Sequence, residues 1–230
     1  DYPADLILDQ NYGAGDHIYP APNAIHLLGP TYTLIRPEIA ALRDKSLPRT
    51  RTERKSIVVT FGGSDPAGAT GQAIRALANI EAPELAVTVV AGPANSQITR
   101  LKQLSANAGF QFLVNPPNLP EILAASSLAI CGAGTTIWEL MCLGVPVLTI
   151  TIADNQVPAA RALEHDGLVG YLGEAAELPA KALQEVVIKW LSDPDKLKRM
   201  AANTTLHVDG HGTSRVVAAM QKLTDGGKVA

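Results

Sequence analysis

The chain has 230 residues, of which 47% are hydrophobic and 18% are charged, so it can bury a sizeable core. Its formal net charge is −3 and it has no long run of one sign, which argues against a nucleic-acid-binding surface. Only 4% of the residues are aromatic, and no apolar run approaches the length of a membrane span.

The first 55 residues combine short strand candidates with polar segments. Leu6–Leu8 and Ile25–Leu28 are predicted strands separated by a loop rich in Gly, Pro and Asn, and Tyr32–Ile35 is predicted to be extended. Residues 43 to 55 form the most charged stretch, which indicates a solvated linker or an exposed helix end. The chain begins in mid-fold without an initiator Met, so we expect further protein upstream.

Beyond residue 55, strand-like runs alternate with helical patterns. The runs cover residues 57–61, 85–91, 110–114, 128–131, 145–150 and 168–172. Apolar residues recur at helical spacing between and after the strands, as in Ile98, Leu101 and Leu104 and in Leu183, Val186, Val187, Trp190 and Leu191. A last helix is predicted over about 213–223. Strands that are apolar on both faces and alternate with helices predict an α/β fold with a doubly wound parallel sheet.

The cysteines and histidines give no sign of a metal site. Cys131 and Cys142 lie in apolar surroundings, which is typical of buried free thiols in a cytoplasmic protein. Five histidines show no metal-ligand spacing: His17, His26, His165, His207 and His211. We therefore predict no metal and no cofactor.

Three polar loops, the first two of them rich in glycine, follow predicted strands, at the sheet edge where such folds bind ligands. The first is Phe61-Gly-Gly-Ser-Asp-Pro66. Its glycines would let backbone approach an anionic ligand at a helix start. The alternative is a tight turn with Ser64 or Asp65 as N-cap and Pro66 as the first helical residue. Since like charges repel, Asp65 is expected to cap or organise the loop rather than touch a phosphate.

The second loop is Gly132-Ala-Gly-Thr-Thr-Ile-Trp-Glu139, again between a strand end and a helix start. Thr136 and Glu139 have capping-box spacing, so Glu139 is a candidate to reach back to its own helix terminus. The alternative is that Glu139 accepts hydrogen bonds from a ribose diol while the amides nearby hold a pyrophosphate. Gly132 and Gly134 lack the third glycine of a dinucleotide fingerprint.

The third loop is Ala153-Asp-Asn-Gln156, where Asp154 or Asn155 is a candidate N-cap. Alternatively, the Asn155–Gln156 pair grips phosphate or sugar hydroxyls in the same crevice. In Asn115-Pro-Pro-Asn118, backbone groups are candidates to read a base edge. The segment Asp209-Gly-His-Gly212 is interpreted as a break before the last helix.

In their order, these loops resemble the C-terminal domain of GT-B glycosyltransferases, the group that includes the peptidoglycan N-acetylglucosaminyltransferase. Together with Leu28-Gly-Pro-Thr-Tyr-Thr-Leu-Ile-Arg-Pro-Glu38, they are more similar to the UDP-2,4-diacetamido-2,4,6-trideoxy-β-L-altropyranose hydrolases of pseudaminic acid biosynthesis. The resemblance runs from about Asp5 to the final helix. It implies a GT-B-type α/β fold with a Rossmann-like C-terminal domain that holds most of the UDP.

The resemblance also implies a domain division. Residues 1–36 would be the C-terminal remnant of the N-terminal domain, and residues 37–55 a linker. Residues 56–205 would form the nucleotide-binding C-terminal domain, and residues 206–230 a terminal helix that packs toward the N-terminal domain. The expected partners are a UDP-linked amino sugar and the missing N-terminal domain, with no nucleic acid and no membrane span.

Roles carry over to particular residues of this sequence. Gly62, Gly63 and Ser64 would line the diphosphate. The helix start at Gly134, Thr135 and Thr136 would face it, and Glu139 would hold the ribose. Backbone near Val114 and Asn115 would meet uracil. Asn155 and Gln156 would face the diphosphate and the sugar across the interdomain cleft.

The chemistry implied by the resemblance is metal-free and inverting: water attacks the sugar C1 and UDP leaves. The general base in that family is a histidine of the first domain, upstream of Asp1, so we assign no catalytic residue to this chain. General acid–base catalysis is worth roughly 10²–10⁴-fold, so the chain alone is expected to bind UDP weakly and to hydrolyse little. The alternatives are a UDP-sugar-dependent glycosyltransferase of the same fold and a non-catalytic UDP-binding module.

Overall fold

The computed structural model describes residues 3–46 and 55–224, and for residues 44–46 it describes the backbone only. Most of the charged stretch at 43–55 and the end of the region 206–230 lie outside the described residues. The strands are β1 (Leu6–Asp9), β2 (Ile25–Leu28), β3 (Ser56–Thr60), β4 (Ala86–Ala91), β5 (Gln111–Val114), β6 (Leu128–Gly132), β7 (Val147–Thr151) and β8 (Gly170–Glu174). The helices are α1 (Pro37–Ser46), α2 (Ala69–Ala78), α3 (Ile98–Asn107), α4 (Leu119–Ala125), α5 (Thr136–Cys142), α6 (Val157–His165), α7 (Ala180–Leu191), α8 (Pro194–His207) and α9 (Gly212–Thr224).

The main sheet has six strands in the order β5-β4-β3-β6-β7-β8, and every neighbouring pair is parallel. Counted from β3 along the chain, this order is 3-2-1-4-5-6, which is the order of a doubly wound fold. The prediction of an α/β fold with a doubly wound parallel sheet is confirmed. The direction of winding reverses between β3 and β6, where Ile57 pairs with Leu128 and Thr60 with Cys131.

Side chains alternate between two cores because successive residues of a strand point to opposite faces. Ile57 and Val59 belong to a cluster with residues of α2, α3 and α7, whereas Val58 belongs to a cluster with residues of α1, α4 and α5. Ala129 and Ile130 of β6 divide in the same way. Both faces of the sheet are therefore covered, which explains why the central strands read as continuous apolar runs.

The first residues form a small two-stranded parallel sheet in which Leu6 pairs with Ile25. This unit is tied to the rest of the chain by polar contacts. The Tyr12 hydroxyl donates a hydrogen bond to the Asp166 carboxylate, and the Leu34 N–H donates to Gln10 Oε1 at 2.9 Å. Tyr32 ends a short 3₁₀-helix that begins at Pro30, so the prediction of extended chain from Tyr32 is wrong at that residue.

Residues 37–46, expected as the first part of a linker, form helix α1. Its Ile39 is fully buried. Arg43 donates to the carbonyl oxygens of Cys142 at 2.9 Å, Val208 at 2.8 Å and Thr205 at 3.0 Å. The Arg43 guanidinium therefore binds carbonyl oxygens at the ends of α5 and α8. The charged stretch around it in the sequence had predicted a solvated side chain.

Helix α8 was not predicted from the sequence, because few of its residues are apolar. Met200 and Thr204 are its buried residues, too few to give a helical stripe. The local start signal was present, since Asp193 accepts a hydrogen bond from the Lys196 N–H and Pro194 occupies the first helical position. The break between α8 and α9 falls at residues 208–211, as interpreted, and α9 agrees with the predicted last helix. Within residues 3–46 and 55–224, no helix combines the length and apolar character that a membrane crossing requires.

Candidate functional site

The polar loops singled out in the sequence lie at one edge of the main sheet. Strands β3, β6 and β7 are parallel neighbours, so their carboxyl ends are adjacent, and the loops with Gly63, Gly134 and Asn155 follow those ends in that order. Neighbouring strands are about 4.8 Å apart. The loops after β3 and β6 flank the point where the strand order reverses, which is where open α/β sheets bind ligands.

Apolar side chains pack around the end of β6, where the strand order reverses. A Cβ built on Gly132, the last residue of β6, would lie 3.6 Å from Phe61 Cδ1 and 3.7 Å from Ile152 Cδ1. Phe61 follows β3 and Ile152 follows β7, so the three loops meet over Gly132. The three loops are therefore packed against one another at the ends of their strands.

In the first loop, Gly62, Gly63 and Ser64 are exposed and Asp65 is buried. Asp65 has a left-handed backbone with φ of 43°. Its two carboxylate oxygens accept hydrogen bonds from the N–H groups of Ala69 and Thr70, each at 2.9 Å. The expectation that Asp65 caps or organises the loop is confirmed, because its carboxylate binds two N–H groups at the start of α2.

The helix after the first loop begins later than the turn interpretation required. Gly68 occupies the N-cap position of α2, so neither Ser64 nor Asp65 is the N-cap residue and Pro66 is not the first helical residue. The negative charge of Asp65 occupies the positive end of α2. An anionic ligand would therefore meet the loop amides rather than the first turn of this helix.

Gly92, directly after β4, is a residue that the sequence reading missed. A Cβ on Gly92 would lie 2.5 Å from the carbonyl oxygen of Gly62 and would overlap the backbone of Gly63. Gly92 therefore sets the position of the first loop by letting it lie against the end of β4. The available signal was a glycine directly after a predicted strand, the same signal that identified the other loops.

In the second loop, Gly134 and Thr135 are exposed and Thr136 is partly exposed. Thr135 is the N-cap of α5 and makes no side-chain capping hydrogen bond. Glu139 is the fourth residue of the helix, one place beyond the capping-box position, and that interpretation is wrong. No side-chain capping hydrogen bond is therefore made at the start of α5.

Glu139 is instead paired with Arg36, which precedes α1. Arg36 Nε donates to Glu139 Oε1 at 2.6 Å, and Arg36 Nη2 donates to Oε2 at 2.9 Å. This bidentate hydrogen bonding raises the pKa of Arg36 above its ordinary value. The Glu139 side chain is 16% exposed and that of Arg36 46% exposed, so the contact joins a mostly buried carboxylate to a half-exposed guanidinium.

In the third loop, Asp154–Gln156 form one turn of 3₁₀-helix that leads into α6. Neither helix has a side-chain cap, so the prediction of Asp154 or Asn155 as an N-cap is wrong. Gln156 Oε1 accepts a hydrogen bond from the Ile152 N–H at 3.0 Å, which fixes the loop on the end of β7. Asn155 is exposed.

Val114 and Asn115 lie at the end of β5, three strands away from β6 and so about 14 Å from it. Val114 is 40% exposed, and Asn115 has a left-handed backbone with φ of 43°. The Asn115 N–H donates to the Ala91 carbonyl at 3.0 Å. A base contact at Asn115 would therefore use its carbonyl oxygen or its side chain.

The loops at 61–68, 132–139 and 152–157 contain no Lys, Arg or His. An anion there would be met by backbone N–H groups and by the dipole of a helix start. Cys131 lies directly before Gly132, and burial raises the pKa of its thiol to about 12, so it is not a nucleophile. Among residues 3–46 and 55–224, no group of three or more His, Cys, Asp or Glu is placed to hold a metal ion.

Comparison with known proteins agrees with this architecture. Over 225 residues, or 96% of the chain, the sequence is 24% identical to the spore coat polysaccharide biosynthesis protein SpsG of Bacillus subtilis. Over 174 residues, or 73% of the chain, it is 29% identical to the UDP-N-acetylglucosamine–N-acetylmuramyl-(pentapeptide) pyrophosphoryl-undecaprenol N-acetylglucosamine transferase of Carboxydothermus hydrogenoformans. It spans 65% and 47% of these relatives, less than two thirds of either length.

The fold is similar to that of solved glycosyltransferases. The crystal structure of MurG from Acinetobacter baumannii superposes with a TM-score of 0.64 at 19% identity, covering 89% of this chain and 57% of that protein. The expected GT-B-type, Rossmann-like C-terminal domain is thereby confirmed. The model of the glycosyltransferase family 28 C-terminal domain matches residues 57–218, which include nearly all of the six-stranded sheet. The chain therefore belongs to the glycosyltransferase family 28 C-terminal domain family.

Proposed function

We propose that this chain binds the UDP part of a UDP-linked sugar at the carboxyl edge of the six-stranded sheet. The observation that carries the proposal is the meeting of the loops after β3 and β6 at the reversal of the strand order. There, exposed glycines and an uncapped helix start lie together without a basic residue in either loop. Such a site suits a diphosphate, because backbone N–H groups can approach its oxygens closely.

Each part of the nucleotide has a candidate contact in this arrangement. Gly62, Gly63 and Ser64 are exposed residues whose amides would meet one side of the diphosphate, and Gly134, Thr135 and Thr136 would meet the other. Asn155 and Gln156 come from the neighbouring loop after β7 and meet the diphosphate and the sugar. Gln156 Oε1 already accepts a hydrogen bond from the Ile152 N–H, so the side-chain NH₂ of Gln156 is the group that would contact a ligand.

The ribose and the base extend away from the diphosphate. Glu139 is the ribose ligand in this proposal, because a partly exposed carboxylate one turn into α5 can accept hydrogen bonds from both hydroxyls of a diol. Uracil would lie toward Val114 and Asn115, about 14 Å from β6 along the sheet edge. That span is comparable with the length of an extended nucleoside diphosphate.

The proposed reaction of the whole protein is hydrolysis of the sugar C1–O bond of a UDP-diacetamido-trideoxyhexose, with inversion and without a metal. The support for hydrolysis is the junction Leu28–Glu38, whose residues resemble those of the pseudaminic acid pathway hydrolases. In this proposal the general base lies outside residues 1–230, and this chain supplies the site that stabilises the departing UDP. The similarity to SpsG, whose name refers to polysaccharide biosynthesis, also favours a nucleotide-sugar substrate.

The second candidate function is transfer of the sugar to an acceptor. The family name and the similarity to an N-acetylglucosamine transferase favour it. The two candidates differ in the nucleophile that attacks C1, which is water in one case and an acceptor hydroxyl in the other. Release of UDP from a UDP-diacetamido sugar, measured with and without an added sugar acceptor, separates them.

That assay compares the chain alone with the chain joined to the preceding domain that the resemblance implies. We expect UDP release only from the joined form, and no increase when an acceptor is added. An increase that requires the acceptor would favour the transferase. Turnover by residues 1–230 alone would contradict the assignment of the base to another part of the protein.

Nucleotide binding is tested first, by thermal unfolding and calorimetry of residues 1–230 with UDP. A ligand at 100 times its Kd stabilises a folded protein by about 2.7 kcal/mol, which gives a measurable rise in Tm. The Glu139→Ala variant should lose UDP affinity. The matched control is Glu84→Ala, which removes another ion-paired carboxylate, bound to Lys55 at 2.8 Å before the start of β3. The proposal fails if UDP does not change the Tm of the unsubstituted chain.

A further inference from the structure

The first part of the chain, residues 3–28, is built around the sheet of β1 and β2 and is called the two-stranded unit below. Two strands alone are at best marginally stable in water, so the unit depends on contacts with the rest of the protein. Gln10 and Tyr12 supply such contacts. Gln10 Oε1 accepts a hydrogen bond from the Leu34 N–H at 2.9 Å, and the half-buried Tyr12 packs against the core cluster that contains Ile39.

The partners of Tyr12 lie at the ends of two helices. Asp166 is the C-cap of α6, and His207 is the last residue of α8. The Tyr12 hydroxyl donates to Asp166 Oδ2, and the rings of Tyr12 and His207 meet edge to face with their centroids 5.8 Å apart. The other carboxylate oxygen, Asp166 Oδ1, lies 2.8 Å from His165 Nδ1. Tyrosine and histidine therefore do not compete for one oxygen.

The hydroxyl and the carboxylate keep their protonation states near neutral pH. The hydrogen bond to Asp166 raises the pKa of Tyr12 to about 12, so the hydroxyl remains a donor. The hydrogen bonds from Tyr12 and His165, together with the charges of His165 and His207, lower the pKa of Asp166, so the carboxylate remains charged. The groups whose charge can change here are the two histidines, because histidine is the side chain that titrates between about pH 5 and 8.

The two histidines differ in what they join. His165 is 89% exposed and binds the residue next to it, so its protonation acts within the end of α6. His207 contacts a residue of the two-stranded unit. A neutral His207 ring makes an ordinary aromatic contact with Tyr12, whereas a protonated ring is also a cation beside an aromatic ring. Protonation of His207 therefore strengthens a contact between the unit and the rest of the protein.

The other charged groups around His207 do not titrate near neutral pH. Arg43 of α1 binds the carbonyl oxygens of Thr205 and Val208, which flank His207 in the sequence. Asp209 follows α8 and is paired with Arg215. Arginines and ion-paired carboxylates keep their charge between pH 6 and pH 8, so these groups act equally at both values.

We propose that His207 and Tyr12 form a proton-dependent contact, which holds the two-stranded unit on the rest of the protein more firmly at pH 6 than at pH 8. The contact is a conformational device, because the unit detaches more often as the pH rises. It goes beyond the proposed function and requires no ligand. A failure of UDP binding would leave it untouched.

Hydrogen exchange of the Leu34 amide, measured by NMR at pH 6 and pH 8, tests the proposal. This amide donates to Gln10, so it exchanges when the unit separates from the chain before α1. Protection factors remove the intrinsic pH dependence of exchange. We expect that of Leu34 to be about two- to five-fold higher at pH 6, the ratio that corresponds to an exposed cation–π contact. The Ala108 amide, bonded to the Leu104 carbonyl at the end of α3, is the reference and should keep its protection factor.

Variants separate the ring contact from the hydroxyl. His207→Gln removes the titrating group, so the protection of Leu34 should be the same at both pH values. Tyr12→Phe keeps the ring and loses the hydrogen bond to Asp166, so it should lower the protection about ten-fold at both pH values and preserve their ratio. Lys198→Gln is the matched control, since it removes an exposed positive charge of the same helix that does not titrate in this range. It should preserve both the protection and the ratio.

Three results would overturn the proposal. The first is a Leu34 amide that is equally or less protected at pH 6 than at pH 8 in the unsubstituted chain. The second is a pH ratio that survives in His207→Gln, which would assign the effect to another group, and His165→Gln identifies that group if it abolishes the ratio. The third is a Leu34 amide without protection at either pH, which would mean that the unit is not held at this contact.

Discussion

The backbone of Gly63 lies so close to Gly92 that a Cβ atom at position 92 would overlap it. The next close atom is also backbone, the carbonyl oxygen of Gly62 at 2.5 Å, so no side-chain rotation can relieve the clash. The loop after β3 and the end of β4 are therefore fitted to each other without spare volume. The position of the candidate diphosphate loop depends on a residue of a different loop.

We expect Gly92→Ala to destabilise the protein by about 1–3 kcal/mol, the usual cost of overpacking, and to weaken UDP binding by displacing the first loop. Thermal unfolding and calorimetry measure the two effects. Gly15→Ala is the control, because a Cβ at that position meets no atom within 4 Å and it lies in the first part of the chain. An unchanged Tm for Gly92→Ala would show that the loop has more freedom than this contact implies.

Asp65 combines a left-handed backbone with hydrogen bonds to two N–H groups at the start of α2. Asp65→Ala removes both bonds and places a residue with poor left-handed preference at φ of 43°, so we expect a loss of about 2 kcal/mol. Asp65→Asn keeps one acceptor and tolerates the backbone, so it should lose less. Denaturant unfolding measures both free energies of unfolding.

The comparison for Asp65 is Asp193→Ala, which removes a cap of α8 that accepts one hydrogen bond, from the Lys196 N–H at 2.9 Å. We expect that variant to lose about 1 kcal/mol. If Asp65→Ala and Asp193→Ala lost the same free energy of unfolding, the second hydrogen bond and the backbone conformation of Asp65 would contribute nothing to stability.

The strands were predictable because continuous runs such as Ile57-Val-Val59 are buried on both faces of the sheet. The order of those strands was not, since it depends on which face each crossover helix covers. The loops could be placed at one edge from the sequence alone, because parallel strands end on the same side. Their adjacency follows only from the order in which β3, β6 and β7 pair.

Roles assigned from local spacing were less secure than the loops themselves. Thr136 and Glu139 have the spacing of a capping box, yet the partner of Glu139 is Arg36, at a distance of 103 residues in the sequence. Asp154 and Asn155 precede a helix but do not cap it. A polar residue near a helix start has both local and distant partners available, and sequence patterns report only the local ones.

Both cysteines should be inert in the folded protein. Cys131 and Cys142 are fully buried, and burial raises the pKa of both thiols, to about 12 for Cys131. Since the thiolate is the reactive form, we expect no reaction with Ellman's reagent in the native protein and two reactive thiols after unfolding in guanidinium chloride. A thiol that reacts within the mixing time of the native sample would contradict the packing of β6 or α5.

The pairing of Asp209 with Arg215 gives a pH dependence whose direction is fixed. Hydrogen bonds from Arg215 lower the pKa of Asp209 from its ordinary 3.8 to about 2. The same carboxylate accepts the His211 N–H at 2.9 Å, and Arg215 also donates to the Thr31 carbonyl at 2.9 Å, so the pair fastens α9 to the chain before α1.

Because the folded state releases this proton more readily than the unfolded state, the stabilisation is fully present above about pH 4 and is lost as the pH falls toward 2. We therefore expect Asp209→Asn to lower the Tm at pH 7. For a pair this exposed, the loss in the free energy of unfolding should be about 1 kcal/mol or less. The difference from the unsubstituted chain should shrink between pH 4 and pH 2. Asp16→Asn, at an exposed carboxylate in the 3₁₀-helix Ala14–Asp16, controls for the loss of one negative charge. A difference that stays constant from pH 7 to pH 2 would mean that the introduced amide perturbs the turn sterically and that the charge of Asp209 does not stabilise it.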